Sequence, residues 1–402
     1  MSARQRSTPA APPLELFAIT APGLEPLAAA ELRALGIEAR EEAGGASFHG
    51  GMREVELANL WLRTASRVVA RVGAFHARAF GELERHARTQ PWERFLAPGR
   101  GVRLRVTCRK SRLYHSDAVA ERIAGAIDAR LGGVGRVVAA GGEEEDAPDE
   151  TEAPLVVARV FRDTCTLSVD SSGALLHRRG YRLATAKAPM RETLAAATLI
   201  AAGWTGEAPL LDPMCGSGTI LIEGAMMARR IPPGAARRFA FEQWPGFDER
   251  HWREMLDEAR ARILPRAAAP IGGADRDAGA IEAAAANARR AGVEADIALR
   301  VAPISALEAP PAPMPGFLVT NPPYGGRIGE ASRLRDLYAS LGAAARRACP
   351  GWRIALLSAR PALERQLGVP LAPVLRTSNG GIPVRVVTGT VPERDGGATA
   401  TG

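Results

Sequence analysis

The chain has 402 residues, enough for two or three domains, and 46% of them are apolar. It contains no run of about 18 apolar residues, which excludes a membrane-spanning helix. The 52 Lys and Arg against 44 Asp and Glu give a formal net charge of +8 and favour a polyanionic partner. The basic residues are nearly all arginine, since only Lys110 and Lys187 are lysine. Abundant Ala, Arg, Gly and Pro also follow from a GC-rich genome, so charge alone does not decide the partner. Cys108, Cys165, Cys215 and Cys349 form no CxxC pair and fit neither zinc nor a disulfide framework. No histidine pattern suits a metal, so none is expected, and a reducing cytoplasm is the simplest location.

Residues 1–13 are polar and Pro/Ala-rich, lack the apolar segment of a secretory signal, and read as a disordered leader. A strand is predicted over Leu14–Ile19, then a helix over Leu24–Leu35 that stops at Gly36. A second helix is predicted over Glu54–Val68, followed by a strand over Val69–Phe75. Residues 102–109 alternate, with Val102, Leu104, Val106 and Cys108 on one face and Arg103, Arg105, Thr107 and Arg109 on the other. This pattern predicts a half-buried strand with a basic outer face. Lys110 and Arg112 continue the charge, and Ser116 is the expected N-cap of a helix over Asp117–Leu131. The run 141–154 carries seven Asp and Glu and is expected to be a loop. Strands over Leu155–Phe161 and Cys165–Asp170 complete an α+β unit.

From Lys187 onward, strands alternate with helices, which predicts a doubly wound, mostly parallel sheet. Such a sheet binds ligands at the carboxyl ends of its strands. The first is Leu210–Leu211, running into Asp212-Pro213-Met214-Cys215-Gly216-Ser217-Gly218-Thr219 and a helix over Thr219–Ala228. Glycines there let the backbone approach a ligand, and Asp212 suits the amine of a cationic methionine moiety. Neither GxGxxG nor the P-loop lysine occurs. The next strand ends at Asp275, placed to accept two ribose hydroxyls or to cap the following helix. The third informative segment is Asn321-Pro322-Pro323-Tyr324. The Asn321 side-chain oxygen and the Pro322 carbonyl are two acceptors suited to one amino group. Tyr324 offers a ring on which a base can stack. A rigid Pro-Pro turn capped by Asn is the plainer reading of that tetrapeptide. Cys215 is expected to be a packing residue, and Trp244 and Trp252 to anchor the core.

These segments in this order look like class I methyltransferases acting on amino nitrogens. The text around them, His177–Arg182, Ala188–Leu194, Ile220–Ala225, Phe241–Trp244 and Ser378–Ile382, resembles the THUMP-containing RNA guanine-N2 methyltransferases. The resemblance covers about residues 14–391 and is closest to the bacterial L-type 23S ribosomal RNA enzymes in their single-catalytic-domain form. It implies a ferredoxin-like segment at 14–60 and a THUMP domain at 61–172 with the acidic run as an insertion. A linker at 173–186, a Rossmann-like catalytic domain at 187–391 and a disordered tail at 392–402 follow.

The resemblance further implies S-adenosylmethionine as cofactor, held by Asp212, Met214, Cys215, Gly216, Gly218, Thr219, Asp275 and Asn321. The catalytic residues would be Asn321, Pro322, Pro323 and Tyr324. Where the family carries an acid for the adenine amine, this chain has Pro303, leaving Ser305 or a backbone carbonyl for that contact. Arg103, Arg105, Arg109, Lys110, Arg112, Arg178, Arg179 and Arg182 are the RNA-binding candidates. A solvated strand face and interdomain salt bridges are the plainer readings of those arginines. Arg229, Arg230, Arg237 and Arg238 are expected at the surface. The residues leave 23S rRNA or tRNA as substrate, and adenine N6 or a protein amide as rival acceptors. A non-catalytic ribosome-assembly factor is the alternative outside enzymology. A monomer is the simplest expectation.

Overall fold

The computed structural model describes residues 12–132, 138–139, 153–182, 190–324 and 331–393. The leader to residue 11, the acidic run 141–152, the stretch 183–189, the loop 325–330 and the tail from 394 lie outside the described residues.

The N-terminal half carries β1 (Leu14–Thr20), α1 (Glu25–Ala34), β2 (Ala39–Glu42), β3 (Gly45–Gly50) and α2 (Met52–Trp61). It continues with β4 (Ala65–His76), α3 (Phe80–Arg88), β5 (Arg103–Arg109), α4 (Ser116–Leu131), β6 (Val138–Ala139), β7 (Leu155–Phe161) and β8 (Thr164–Asp170). The ferredoxin-like segment and the region after it share one eight-stranded sheet, ordered β2-β3-β1-β4-β8-β7-β5-β6. The strand β4 joins them: it pairs with β1 through its first half and with β8 through its second. A boundary at residue 60 therefore understates the first segment, which needs β4 to close.

The helix expected over 54–68 stops at Trp61, and the strand begins at Ala65 rather than Val69. Val68 and Val69 are apolar in either reading, and pairing with β1 settles them as strand. Ser116 is the first helical residue and its hydroxyl caps nothing; His115 occupies the N-cap position. Gly36, with φ +79°, ends α1 as its sequence suggests.

The second half carries α5 (Glu192–Ala202), β9 (Leu210–Asp212), α6 (Thr219–Ala228), α7 (Glu249–Ala261), β10 (Ile271–Asp275), α8 (Ala278–Arg290) and β11 (Ile297–Val301). Then come β12 (Phe317–Thr320), α9 (Ala331–Ala348), β13 (Arg353–Ser358), α10 (Pro361–Glu364), β14 (Ala372–Asn379) and β15 (Ile382–Thr390). The sheet order is β11-β10-β9-β12-β13-β15-β14. Its first five strands are parallel, and β15 enters antiparallel between β13 and β14. This is the mostly parallel, doubly wound sheet that the strand–helix alternation predicts. The chain order reverses between β9 and β12, so the crevice at their carboxyl ends is the place for a ligand.

The two halves are built into each other. Phe239, Phe241, Trp244 and Trp252, between α6 and β10, are buried in the core of the N-terminal sheet. Trp252 packs edge-on against Phe241 at 5.2 Å between ring centroids. Both tryptophans are thus core anchors.

The linker arginines complete the junction. Arg179 is buried; it donates to the carbonyls of Leu176 and Arg63 at 2.6 Å and stands 3.5 Å from the buried Glu223. Arg182 pairs with Glu192 at 3.2 Å and donates to Thr219 Oγ1 at 2.8 Å. With their guanidinium groups engaged inside the protein, Arg179 and Arg182 are not placed to grip phosphate, and the interdomain reading of these two holds. Arg237 also departs from expectation. It donates to the carbonyls of Leu175 and Ser172 at 2.7 and 3.0 Å, and burial pushes its pKa down to about 10. Arg178 is half-buried beside them.

Candidate active site

Three strand ends of the parallel sheet converge. Leu211 of β9 lies beside Leu318 of β12, and Asp212 beside Gly273 of β10. Asp212, Asp275 and Asn321 therefore leave the sheet at one edge.

The turn after β9 is shaped by two glycines with φ of +51° and +82°, Gly216 and Gly218. A Cβ at Gly218 would approach Ala284 to 3.0 Å, so α6 and α8 close on a residue without a side chain. Asp275 fixes the turn from below: its carboxylate accepts from the Gly216 amide and from the Asp277 amide, both at 3.0 Å. The helix α8 is capped by Asp277, which accepts from Gly279 N at 2.9 Å, so Asp275 is not the cap. The Asn287 side chain donates to Ser217 O at 3.1 Å.

Asp212 is buried and accepts from the Met214 amide at 3.1 Å. Burial pushes its pKa up to about 7, against the Thr320 hydroxyl and the Met214 amide that lower it. The nearby Asp275 raises it further. A carboxylate held this way lacks a cation, and the ammonium of an amino-acid ligand would supply one. Cys215 is buried and burial pushes its thiol well above the ordinary range, so it packs rather than reacts. Thr219 sits at the start of α6 with its hydroxyl accepting from Arg182.

After β12, Pro322 is buried, Pro323 is exposed, and Asn321 and Tyr324 are half-buried. The Asn321 Oδ1 atom is buried without a hydrogen-bond partner. The Tyr324 hydroxyl accepts from the Asn379 side-chain amide at 2.7 Å. Asn379 ends β14 at a two-residue turn, Gly380 and Gly381, both with positive φ. That is the tight hairpin that such a glycine pair permits.

A model of the RMKL-like methyltransferase domain matches residues 179–376, and one of the RlmL ferredoxin-like domain matches residues 15–69. A Synechocystis protein that bears the name of an RNA methyltransferase is 36% identical over 91% of this chain and 94% of its own length. This chain belongs to the RMKL-like methyltransferase family.

The ribosomal RNA large subunit methyltransferase K/L of Syntrophotalea carbinolica is 36% identical over 95% of this chain, which spans 54% of that relative. The chain spans about half the length of the K/L relatives it matches. Among solved structures, the methyltransferase-type protein SMU.472, complexed with SAH, superposes with a TM-score of 0.82 at 29% identity. The match covers 96% of this chain and 99% of that one.

The residues present fit the family's cofactor, S-adenosylmethionine. Asp212 offers a buried carboxylate without a cation, Gly216 and Gly218 leave backbone free of side chains, and Asp275 ends the neighbouring strand β10 with its carboxylate against the Gly216 amide. Pro303 follows β11 exposed, and its carbonyl accepts from the Ala306 amide at 2.9 Å. The Ser305 carbonyl accepts from Arg347 Nη2 at 2.8 Å. Both carbonyls of the loop after β11 are thus already engaged. Among the described residues no group of side chains suits a metal ion. No helix among them is long and apolar enough to cross a membrane.

The basic strand candidates lie on β5 and the loop after it. Arg103 is half-buried and donates to Ala153 O at 3.0 Å, while Arg109 is exposed. Lys110 is exposed, and its φ of +51° turns the chain. The amide of the exposed Arg112 donates to Asp163 at 2.7 Å. Asn379 shows in the sequence only as part of an Asn-Gly-Gly hairpin signal, with no sign of its contact to Tyr324.

Proposed function

We propose that this chain transfers the methyl group of S-adenosylmethionine to the exocyclic N2 of a guanine in RNA, with 23S ribosomal RNA as substrate. The observation that carries the reading is the buried, unpartnered Asn321 Oδ1 at the end of β12. A buried acceptor left unpaired costs free energy, and a bound amino group would remove that cost. With the Pro322 carbonyl as second acceptor, both hydrogens of the amine would be held and its lone pair aimed.

The cofactor supplies an electrophilic methyl on a sulfonium. Asp212, the Gly216–Gly218 turn and Asp275 would hold it with that methyl toward the amine lone pair, and the methylated nitrogen would lose one proton to solvent. The protein's share is alignment of the amine by Asn321 and Pro322 and stacking of the base on Tyr324. The target base must leave any pairing to enter such a site. The two acceptors recognise an amino group rather than a ring, so guanine over adenine rests on the family resemblance, as do ribosomal RNA and a THUMP role for the region after β4. Arg103, Arg105, Arg109, Lys110 and Arg112 would hold phosphates in sequence-independent fashion. Activity on RNA is consistent with a cytoplasmic enzyme, and a monomer suffices for the site.

Mapping N2-methylguanosine in total RNA from a deletion strain tests the reading. Loss at a 23S position, restored by the wild-type gene, supports it. Loss confined to tRNA moves the substrate, and an unchanged pattern rejects guanine N2.

A further inference from the structure

Between the two halves runs a cleft of about 1000 Å³. One wall comes from β5 and α4, with Arg105 and Tyr114; the other comes from the β14–β15 hairpin, with Ser378 and Asn379, and from Arg191. Polar and charged groups thus stand on both walls beside apolar ones such as Leu104 and Leu194, with Asp117 on the α4 side. The hairpin wall leads to the catalytic loop, because Asn379 holds the Tyr324 hydroxyl.

Tyr114 is 68% exposed, the most exposed large apolar or aromatic side chain among the described residues. Its loop is braced. Asp163 accepts from the Arg112 amide at 2.7 Å and from Arg78 Nε at 3.1 Å. The Asp163 amide donates to Ser111 Oγ at 3.0 Å, and that hydroxyl donates to Arg109 O at 2.9 Å. The neighbouring Leu113 is buried and pins the loop to the core, and His115 lies against Tyr114 at 4.0 Å between ring centroids. An aromatic ring left in water on a loop this firmly tied is a surface prepared for a flat partner. Sequence-tolerant binders of single-stranded nucleic acid combine a basic groove with such a ring.

We propose that this interdomain cleft carries a single-stranded segment of the RNA to the catalytic loop and that Tyr114 stacks on a base flanking the target. This rests on the reading of the substrate as RNA and adds where the strand runs and which residue holds it. The basic side chains Arg105 and Arg191 line the cleft and would face the phosphates, and Asn379, which also lines it, holds the Tyr324 hydroxyl.

The test compares the full chain with Tyr114→Ala and Tyr114→Phe, titrated by fluorescence anisotropy with a short unstructured RNA and with a duplex of the same length. Because Tyr114 is exposed, neither change threatens the fold, and unaltered melting checks this. Tyr114→Ala is expected to weaken single-strand binding roughly 5-fold or more, the range of base–aromatic stacking. Tyr114→Phe should keep it within about 2-fold, and S-adenosylmethionine affinity should not move. Equal single-strand affinity for wild type and Tyr114→Ala, or an equal loss on duplex, overturns the proposal. A wild type that methylates guanine while Tyr114→Ala binds normally removes the cleft alone. A Tyr114-dependent strand affinity without guanine methylation removes the acceptor alone.

Discussion

The side-chain amide of Asn379 donates to the hydroxyl of Tyr324 at 2.7 Å, tying the last hairpin of the sheet to the catalytic loop. The ring proposed to stack on the target base is thereby held by a residue 55 positions later. Asn379→Ala should lower kcat/KM for RNA by roughly 2- to 10-fold, the net worth of one hydrogen bond, and leave S-adenosylmethionine affinity unchanged. Tyr324→Phe should show a similar loss, and the double variant no further one. Steady-state kinetics of the four proteins checks this; additive losses would mean that the contact does not position the ring.

Asp212 links cofactor binding to pH. Its folded pKa of about 7 lies above the ordinary carboxylate range, so the cofactor-free fold binds a proton that the unfolded chain has released. Stability from this group is complete below the unfolded pKa of about 4 and is lost as pH rises through about 7. Asp212→Asn should therefore melt higher than wild type at pH 8 without cofactor. Pairing with an ammonium needs the ionised form, so wild-type affinity should fall about tenfold per pH unit below about 7. The asparagine variant should bind weakly at every pH. Calorimetry and melting across pH 5–9 read both effects; pH-independent wild-type affinity would contradict the role.

Arg179 is predicted to act on stability. Removing it takes from Glu223, fully buried and bonded to Tyr181 at 3.1 Å, the cation that stands 3.5 Å away. Arg179→Ala should cost about 3–5 kcal/mol in urea unfolding. A variant of unchanged stability with lost RNA affinity would restore Arg179 to the RNA-binding set.

Pro303 marks a place where binding can be improved. Pro303→Asp puts a carboxylate at the end of β11, where the family resemblance locates the partner of the adenine amine. Cofactor affinity should rise roughly 2- to 10-fold by calorimetry. No gain would show that the adenine lies elsewhere.

The parallel sheet and its three strand-end motifs were legible because each strand is a short apolar run ending in a distinctive residue: Asp212, Asp275, Asn321. The helix α5 was not, because nine of its eleven residues are buried, Glu192, Thr193 and Thr198 among them, and a helix buried all round shows no amphipathic periodicity. The strands β2 and β3 were also missed. Ala39–Glu42 is mostly polar and exposed, and Gly45–Gly50 is bounded by glycines, so their pairing comes from β1. The arginines of the linker could not be sorted by sequence: Arg178, Arg179 and Arg182 read alike, and only burial separates those that lock the two halves. The contact between Asn379 and Tyr324 is long-range and has no local signal.

The proposed function turns on amine methylation through Asn321. The decisive measurement incubates the full chain and Asn321→Ala with a 23S rRNA transcript and isotopically labelled S-adenosylmethionine. The RNA is then digested and its nucleosides separated by mass. The account predicts label in N2-methylguanosine with wild type and none with Asn321→Ala, whose cofactor affinity stays within a few-fold. Label in N6-methyladenosine, or undiminished transfer by Asn321→Ala, would contradict it.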